Sequence, residues 1–527
     1  MPDLTHRSSK HSPDELTDST TKITLVVNRL SPREAMFYFL DETGSTTHLG
    51  ALLIVDAGES EKSGTTAAAE QQSGDGARSG SAKKSARSGS TTRTLDYPSL
   101  VALVENRLQS IPRYRQVVRE VTLGLARPVW VDDPDFDINF HIRRSGLPRP
   151  GDTAQLQDLI ARVMSRPLDR TRPLWEMYLI EGLPNGQQAI LTKTHRCLVD
   201  DEAALEISEA ICDEQPEVEA LAEDLWMPGA PPGSVSLAVG AVAEAFSRPG
   251  DLLDSLMHGN SVVAEVRSTA EDALRRVGSI VQQLSDSAPS SPLNNSTTST
   301  RIFAVASVPR RGCAKIADRY DCTVNDVELA IISGVMRRWM LSFDESVNVA
   351  DTVRVVLPLS ARDPGVERRL DSEARWIAVG KPSFVTDLPV GEDNPAVRLA
   401  QVAGLANRYS QSSRRLSMGP QPILSELGVV PFPELSSRAF RSLNRRAYNV
   451  PVGMGTSPVA DKFVDGCPVS EMYMIPTLMA QRALAISITD YRDNLEFAFI
   501  ADRGVMNDLP AMTDYVTEAY EELLATK

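Results

Sequence analysis

Apolar positions along the chain form two long alternating stretches separated by polar segments. In the first stretch, "ITLVVNRLSPREAMFYFLD" and "THLGALLIVD" carry apolar runs suited to buried strands and a short helix. "YPSLVALVENRLQSI" and "DTAQLQDLIARVMSRPLD" space their apolar residues as helices do, and "QAILTKTH" reads as a buried strand. "DDEAALEISEAIC" follows as a helix with an acidic first turn. "RIFAVASVP" opens the second stretch. It continues with the helix "TVNDVELAIISGVMRRWML", the strand "VRVVLPLS", the helix "NPAVRLAQVAGLANRYS", the strands "ALAISITDY" and "NLEFAFIAD", and a closing helix from 507 to 525.

The polar segments divide this pattern. Residues 1–22 read as a disordered tail. Residues 57–94 contain alanine as their only apolar residue type, so nothing in them offsets the entropy of ordering, and they read as a flexible insertion. Residues 215–300 combine the linker-like "EQPEVEALAEDLWMPGAPPGS", a largely helical part over 235–284 and the polar "SDSAPSSPLNNSTTST". The expected organisation is a two-domain α/β protein, with one domain over 23–214, a helical linker, and a second domain over 301–527.

A chain of 527 residues exceeds one ordinary hydrophobic core, which agrees with that division. The net charge of -15 argues against a nucleic-acid partner, whose phosphates require a basic surface. Five cysteines without a CxxC pair point to neither a disulfide framework nor a metal site, and favour a reducing compartment. No apolar run reaches the roughly 18 residues of a membrane span. The opening "MPDLTHRSSKHSPDELTDST" lacks a signal peptide's apolar core. The expectation is a cytoplasmic protein able to rest on a membrane surface.

Chemistry is concentrated in one place. Of the six histidines, His6 and His11 lie in the tail and His258 in the linker, which leaves His48, His141 and His195. No GxSxG, GxxxxGK[ST] or HExxH motif is present. His195 ends a strand pattern, and Asp200 stands five residues on. A histidine so placed can take a proton from a hydroxyl attacking a thioester. The same spacing also suits a packed polar residue followed by a helix cap.

Several blocks then fall in order: "NRLSPREAMFYFLDETGSTTHLG", "ARPVWVDDPDFDINFHIRRSGLP", and "SRPLDRTRPLWEMYLIEGL" with Pro173, Leu174 and Trp175. "LTKTHRCLVDD", "TVNDVELAIISGVMRRWML" with Asn325 and Asp326, "VRVVLPLSAR", "DLPVGEDNPAVRLAQV" and "LEFAFIADR" complete the run. Together they resemble the bacterial wax ester synthase/acyl-CoA:diacylglycerol acyltransferases, mycobacterial triacylglycerol synthases included, which are relatives of the condensation domains that share an HHxxxDG motif. The resemblance implies two chloramphenicol-acetyltransferase-like sandwich domains with a tunnel between them. It implies long-chain acyl-CoA as substrate, diacylglycerol or a fatty alcohol as acceptor, and no bound cofactor. His195 and Asp200 would be catalytic, supported by Pro173, Leu174, Trp175, Asn325 and Asp326. For Asn325 and Asp326, a helix cap is the competing expectation.

Laid on HHxxxDG, the segment reads His195, Arg196, Cys197, Leu198, Val199, Asp200, Asp201. Arg196 stands where the family has its general base, and a guanidinium stays protonated and cannot accept a proton. Adjacent strand residues point to opposite faces, so His195 takes over only if a bulge or register change re-aims it. Asp201 in place of glycine makes a strongly positive φ costly there. Three readings remain open: a slow or re-registered acyltransferase, a non-catalytic acyl-CoA- or lipid-binding protein, or a partner subunit of an active relative. Arg414, Arg415, Arg438, Arg441, Arg445 and Arg446 concentrate positive charge in an acidic chain. They fit CoA phosphates, an anionic membrane or a lipid-droplet surface, or else a solvated face.

Overall fold

The computed structural model describes residues 28–41, 46–56, 95–121, 127–199, 206–216, 224, 226–229, 233, 288–295, 298–342, 347–358, 383–411, 448–455 and 461–526. The tail 1–22, the 57–94 insertion, most of the 215–300 linker, Asp200, Asp201 and the six arginines between 414 and 446 lie outside these residues.

The first half runs α1 (Pro32–Leu40), β1 (His48–Val55), α2 (Tyr97–Arg107), β2 (Gln116–Arg119), β3 (Val129–Asp132), α3 (Ile138–His141) and β4 (Ile142–Gly146). It continues with α4 (Thr153–Ser165), β5 (Trp175–Glu181), β6 (Gln188–His195), α5 (Arg196–Val199) and α6 (Ile207–Ala210). The second half runs β7 (Arg301–Pro309), α7 (Arg310–Tyr320), α8 (Val324–Ser342), β8 (Val353–Pro358), β9 (Ser383–Leu388) and α9 (Pro395–Gln411). It ends with β10 (Val450–Met454), β11 (Phe463–Val464), β12 (Cys467–Ile475), β13 (Leu484–Tyr491), β14 (Asn494–Asp502) and α10 (Ala511–Ala525). Of the helix expected over "DDEAALEISEAIC", the described part is the single turn α6.

Two six-stranded sheets result, ordered β11-β12-β1-β6-β5-β4 and β7-β14-β13-β10-β8-β9. β12 comes from beyond residue 460 yet pairs antiparallel with β1, with Gly50 opposite Ile475 and Leu52 opposite Tyr473. It also reaches the second sheet, where the Ser487 hydroxyl on β13 donates to the Met474 carbonyl and the Met474 N–H donates to Thr489 Oγ1 at 3.3 Å. The two halves are thus joined by hydrogen bonds as well as by packing.

Strand alternation sorts the cores. On β1, Leu49, Leu53 and Val55 face α1 and α2, whereas Leu52 and Ile54 face the other way. That second face meets Phe303 of β7, Ala485 of β13, Ala498 and Ile500 of β14, and the apolar stripe Leu156, Ile160, Val163 and Met164 of α4. The outer face of the second sheet is covered by α8 and α10 through residues such as Val327, Ile331, Val335, Val516 and Leu523. With both faces covered, the central strands read as continuous apolar runs. Helix ends are fixed locally. Ser31 and Glu34 form a reciprocal capping box on α1, as Asp152 and Gln155 do on α4.

β1 and β6 come unusually close at Gly50, where a Cβ would stand 2.0 Å from the Thr192 carbonyl oxygen. The ladder pairs His48 with His195 and Leu49 with Thr194 and resumes at Leu52 and Leu191, and the Ala51 N–H in the gap donates to Thr192 Oγ1 at 2.9 Å. Gly50→Ala is therefore expected to cost about 1–3 kcal/mol or more as overpacking against backbone. Gly146→Ala, where no atom lies within 4 Å of the built Cβ, should stay within about 0.5 kcal/mol. Denaturant midpoints of the two variants check this, and equal midpoints would contradict it.

Candidate active site

α1 stops at Asp41, whose extended backbone ends the helix, and Thr47 immediately precedes β1. Asp41 Oδ1 accepts from the Thr47 N–H and, at 2.8 Å, from the Thr47 hydroxyl. Its other oxygen, Oδ2, stands 3.2 Å from His195 Nε2, 3.8 Å from His48 Nε2 and 3.9 Å from Arg170. Thr47 Oγ1 also lies 2.9 Å from His195 Nε2. Burial alone would raise Asp41's pKa, but His195 and the Thr47 N–H outweigh it and hold the carboxyl well below the usual carboxylate range.

His195 closes β6 and is 1% exposed. The Cys197 N–H donates to its Nδ1 at 3.1 Å. A backbone N–H can only donate, so Nδ1 is the acceptor and the ring proton belongs on Nε2, toward Asp41 and Thr47. The backbone is held too: the His195 N–H donates to the Leu174 carbonyl and the Arg196 N–H to the Thr47 carbonyl, each at 2.9 Å. Both ring nitrogens are therefore engaged. Arg196 turns to the other side, with its guanidinium 4.0 Å from the centre of the Phe37 ring, a cation–π contact on the α1 side.

The PLW block packs behind this arrangement. Trp175 is fully buried, donates from Nε1 to the Tyr114 carbonyl at 2.8 Å, and stacks on His141 with ring centres 4.5 Å apart. Leu174 supplies the carbonyl that receives the His195 N–H, and Pro173 the carbonyl that receives the Trp175 N–H. The structure thus brings His195, Arg196, Pro173, Leu174 and Trp175 together. Asn325 and Asp326 begin α8 in the second half. Asp326 Oδ2 accepts from the Thr323 hydroxyl at 2.7 Å and the Thr323 N–H at 3.1 Å, while Thr323 Oγ1 accepts the Asp326 N–H at 3.2 Å. That reciprocal pattern is the helix cap.

Sequence reasoning did not single out Asp41 or Thr47, and named His48 without a role. Among the described residues, Asp41 is the carboxylate on His195. His48 lies directly across the β1–β6 ladder from His195, with ring centres 5.9 Å apart. It is 2% exposed, and neither of its ring nitrogens has a hydrogen-bond partner among the described residues. A buried polar atom left without a partner costs about 1–3 kcal/mol. Burial, then Lys193, push His48 well below the usual histidine range despite Asp41, so its ring is neutral. On the same face of β6, burial pushes the Lys193 ammonium down to about 8, and Nζ donates to the carbonyls of Val163, at 3.0 Å, and Arg166 at the end of α4.

Comparison with known proteins decides the lineage. The wax ester synthase/diacylglycerol acyltransferase catalytic domain matches residues 30–328, and the C-terminal domain of the same proteins matches residues 383–524. The chain belongs to the wax ester synthase/diacylglycerol acyltransferase family. It is 40% identical over 300 residues to the probable diacylglycerol O-acyltransferase tgs3 of Mycobacterium tuberculosis, covering 56% of this chain and 98% of that protein. It is 28% identical over 436 residues to the probable diacylglycerol O-acyltransferase tgs1 of the same species, covering 82% of this chain and 88% of that one. The solved wax ester synthase/diacylglycerol acyltransferase of Marinobacter aquaeolei VT8 superposes with a TM-score of 0.61 at 21% identity, over 94% of this chain and 98% of that one. The first condensation domain of the CDA synthetase gives 0.52 at 14% identity, over 95% and 97%. The expected two-domain α/β fold of chloramphenicol-acetyltransferase type is borne out.

The Asp41 carboxylate makes an acid-side prediction. Its folded pKa lies below the ordinary value of 3.8, so the unfolded chain binds the proton first and stability drops as pH falls. The contribution is complete above about pH 5 and is lost below it. Asp41→Asn should lower stability at neutral pH and show a shallower fall in unfolding free energy between about pH 5 and pH 2. Parallel pH–stability curves for the two proteins would contradict the assignment.

Proposed function

We propose that this chain is an acyl-CoA-dependent O-acyltransferase that moves a long-chain acyl group to the hydroxyl of diacylglycerol or a fatty alcohol. The observation that carries this reading is the strand-end His195 with a half-buried, ionised Asp41, inside a family domain matched over residues 30–328. The family's named relatives are diacylglycerol O-acyltransferases. In this reading the Asp41–Thr47–His195 cluster fixes the strand end and supplies a negative charge beside the reacting groups, and Leu174 and Trp175 hold it from behind. Asp200 follows this strand end and is assigned to the same site on sequence alone. Asn325 and Asp326 shape the start of α8 on the facing half. The protein works in the cytoplasm, and the arginines from Arg414 to Arg446 hold it to an anionic membrane or lipid-droplet surface. Among the described residues, no helix is long and apolar enough to cross a membrane.

Arg196 favours a second reading. The residue at the family's general-base position is a cation stacked on Phe37, which suits a protein that binds acyl-CoA or lipid without turning it over, or one that partners an active relative. Purified protein given palmitoyl-CoA with dioleoylglycerol or hexadecanol separates the two. The acyltransferase reading expects ester product and free CoA thiol in equal amounts, dependent on the acceptor. Binding of palmitoyl-CoA without ester would replace it with the second reading, and neither binding nor ester would overturn both.

A further inference from the structure

We propose that His48 is the general base of this site, taking the proton of the acceptor hydroxyl that Arg196 cannot take. The inference rests on the acyltransferase reading above and goes beyond it by naming the residue that does the proton transfer.

The groups gathered around Asp41 leave one candidate among the described residues. Arg170 and Arg196 are cations without a lone pair to offer. The Tyr38 phenol is held protonated by burial and donates to Glu120 at 3.1 Å. The Thr47 hydroxyl is engaged with Asp41 and the Phe37 carbonyl. His195 has Nδ1 occupied by the Cys197 N–H and Nε2 turned to Asp41 and Thr47. His48 alone in this group is a neutral imidazole whose two nitrogens have no hydrogen-bond partner among the described residues. It occupies the face of β1 that carries Leu52 and Ile54, the face turned toward the second sheet. A polar ring kept in that layer, with no partner among the described residues, is suited to a group that arrives with the substrate.

The geometry also supports the protonated form. Nε2 lies 3.8 Å from Asp41 Oδ2, close enough for an ion pair once the ring is charged, and in this proposal Nδ1 takes the incoming hydroxyl's proton. As the acceptor oxygen attacks the thioester carbonyl, its proton passes to Nδ1, and the imidazolium gains the Asp41 carboxylate as counter-charge. When the tetrahedral oxyanion collapses, the carbon–sulfur bond breaks and His48 returns the proton to the CoA thiolate. The ester, the CoA thiol and neutral His48 result. The charged and titratable groups facing the ring are Asp41 after α1, Lys193 and His195 on β6, and Arg301 at the start of β7. Burial first, then Lys193, keeps the resting ring neutral, and Asp41 limits the cost of charging it.

The test measures steady-state acyl transfer by the full chain with palmitoyl-CoA and the better acceptor, for wild type, His48→Gln, His48→Asn and His48→Ala. His48→Gln should lose about 10²–10⁴-fold in kcat with KM for palmitoyl-CoA nearly unchanged. Wild-type kcat/KM should fall with the protonation of one group on the acid side, and that limb should vanish from the residual activity of His48→Gln. Added imidazole should restore part of the His48→Ala rate, which a purely structural role would not allow. His48→Asn replaces His48→Gln if the latter does not fold, judged by its thermal midpoint. A folded Gln or Asn variant that keeps kcat within about fivefold overturns the assignment while leaving the acyltransferase reading intact. So does a loss of rate with an unchanged acid limb and no response to imidazole. If wild type forms no ester, the acyltransferase reading itself fails and His48 falls with it.

Discussion

Asp41 is a carboxylate largely withdrawn from water, and the arrangement of the site depends on its remaining charged there. An isolated buried carboxylate would protonate. This one is held ionised by the Thr47 N–H and hydroxyl, by His195, and by the more distant Arg170. In return it sets the proton of His195 on Nε2 and ties the end of α1 to the junction of β1 and β6. Removing the charge would leave several donors buried without an acceptor, so the cluster stands or falls as a unit.

The cluster can be this tight because the two halves of the chain are stitched at the same place. β12 leaves the second half to pair with β1, and its Met474 backbone exchanges hydrogen bonds with side chains on β13. The strand that carries His48 is therefore clamped on one edge by a strand from the far end of the sequence and on the other by β6. Gly50 marks the closeness of the second contact. His48 and His195 stand on paired strand ends, and the helix end at Asp41 is tied to them through Thr47, which is how a constellation keeps its geometry.

Much of the fold was legible in the sequence because periodicity reports burial. "QAILTKTH" is β6, "NLEFAFIAD" is β14, and the 3.6-residue pattern of "TVNDVELAIISGVMRRWML" ends within a residue of α8. The path of β12 was not legible. "CPVSEMYMI" alternates weakly, and its partner strand lies some four hundred residues earlier, a pairing that no local pattern encodes. The site was half legible. His195 and the PLW block stood out as motifs, but Thr47 approaches His195 across 148 residues of sequence, and Asp41 reads from sequence alone as an ordinary helix terminator. His48 could have been noticed as a histidine inside an otherwise apolar strand, where a polar ring has a cost and so needs a reason. For Asp326, the competing expectation of a helix cap describes its observed hydrogen bonds.

Arg196 then takes on a different meaning. On the motif alone, its guanidinium in the base position suggests a broken enzyme. In the fold it lies on the α1 side against Phe37, while the neutral ring of His48 stands on the opposite face beside Asp41. A family that places its base on one side of a strand end could keep the same reaction with the base on the neighbouring strand, provided the acceptor reaches that face. The most direct measurement is a crystal structure of the protein with a non-cleavable thioether analogue of palmitoyl-CoA and a long-chain alcohol. The account predicts the alcohol oxygen within hydrogen-bond reach of His48, on the Asp41 side of the strand end. An alcohol oxygen lodged instead against Arg196 and Phe37, out of reach of His48, would contradict it.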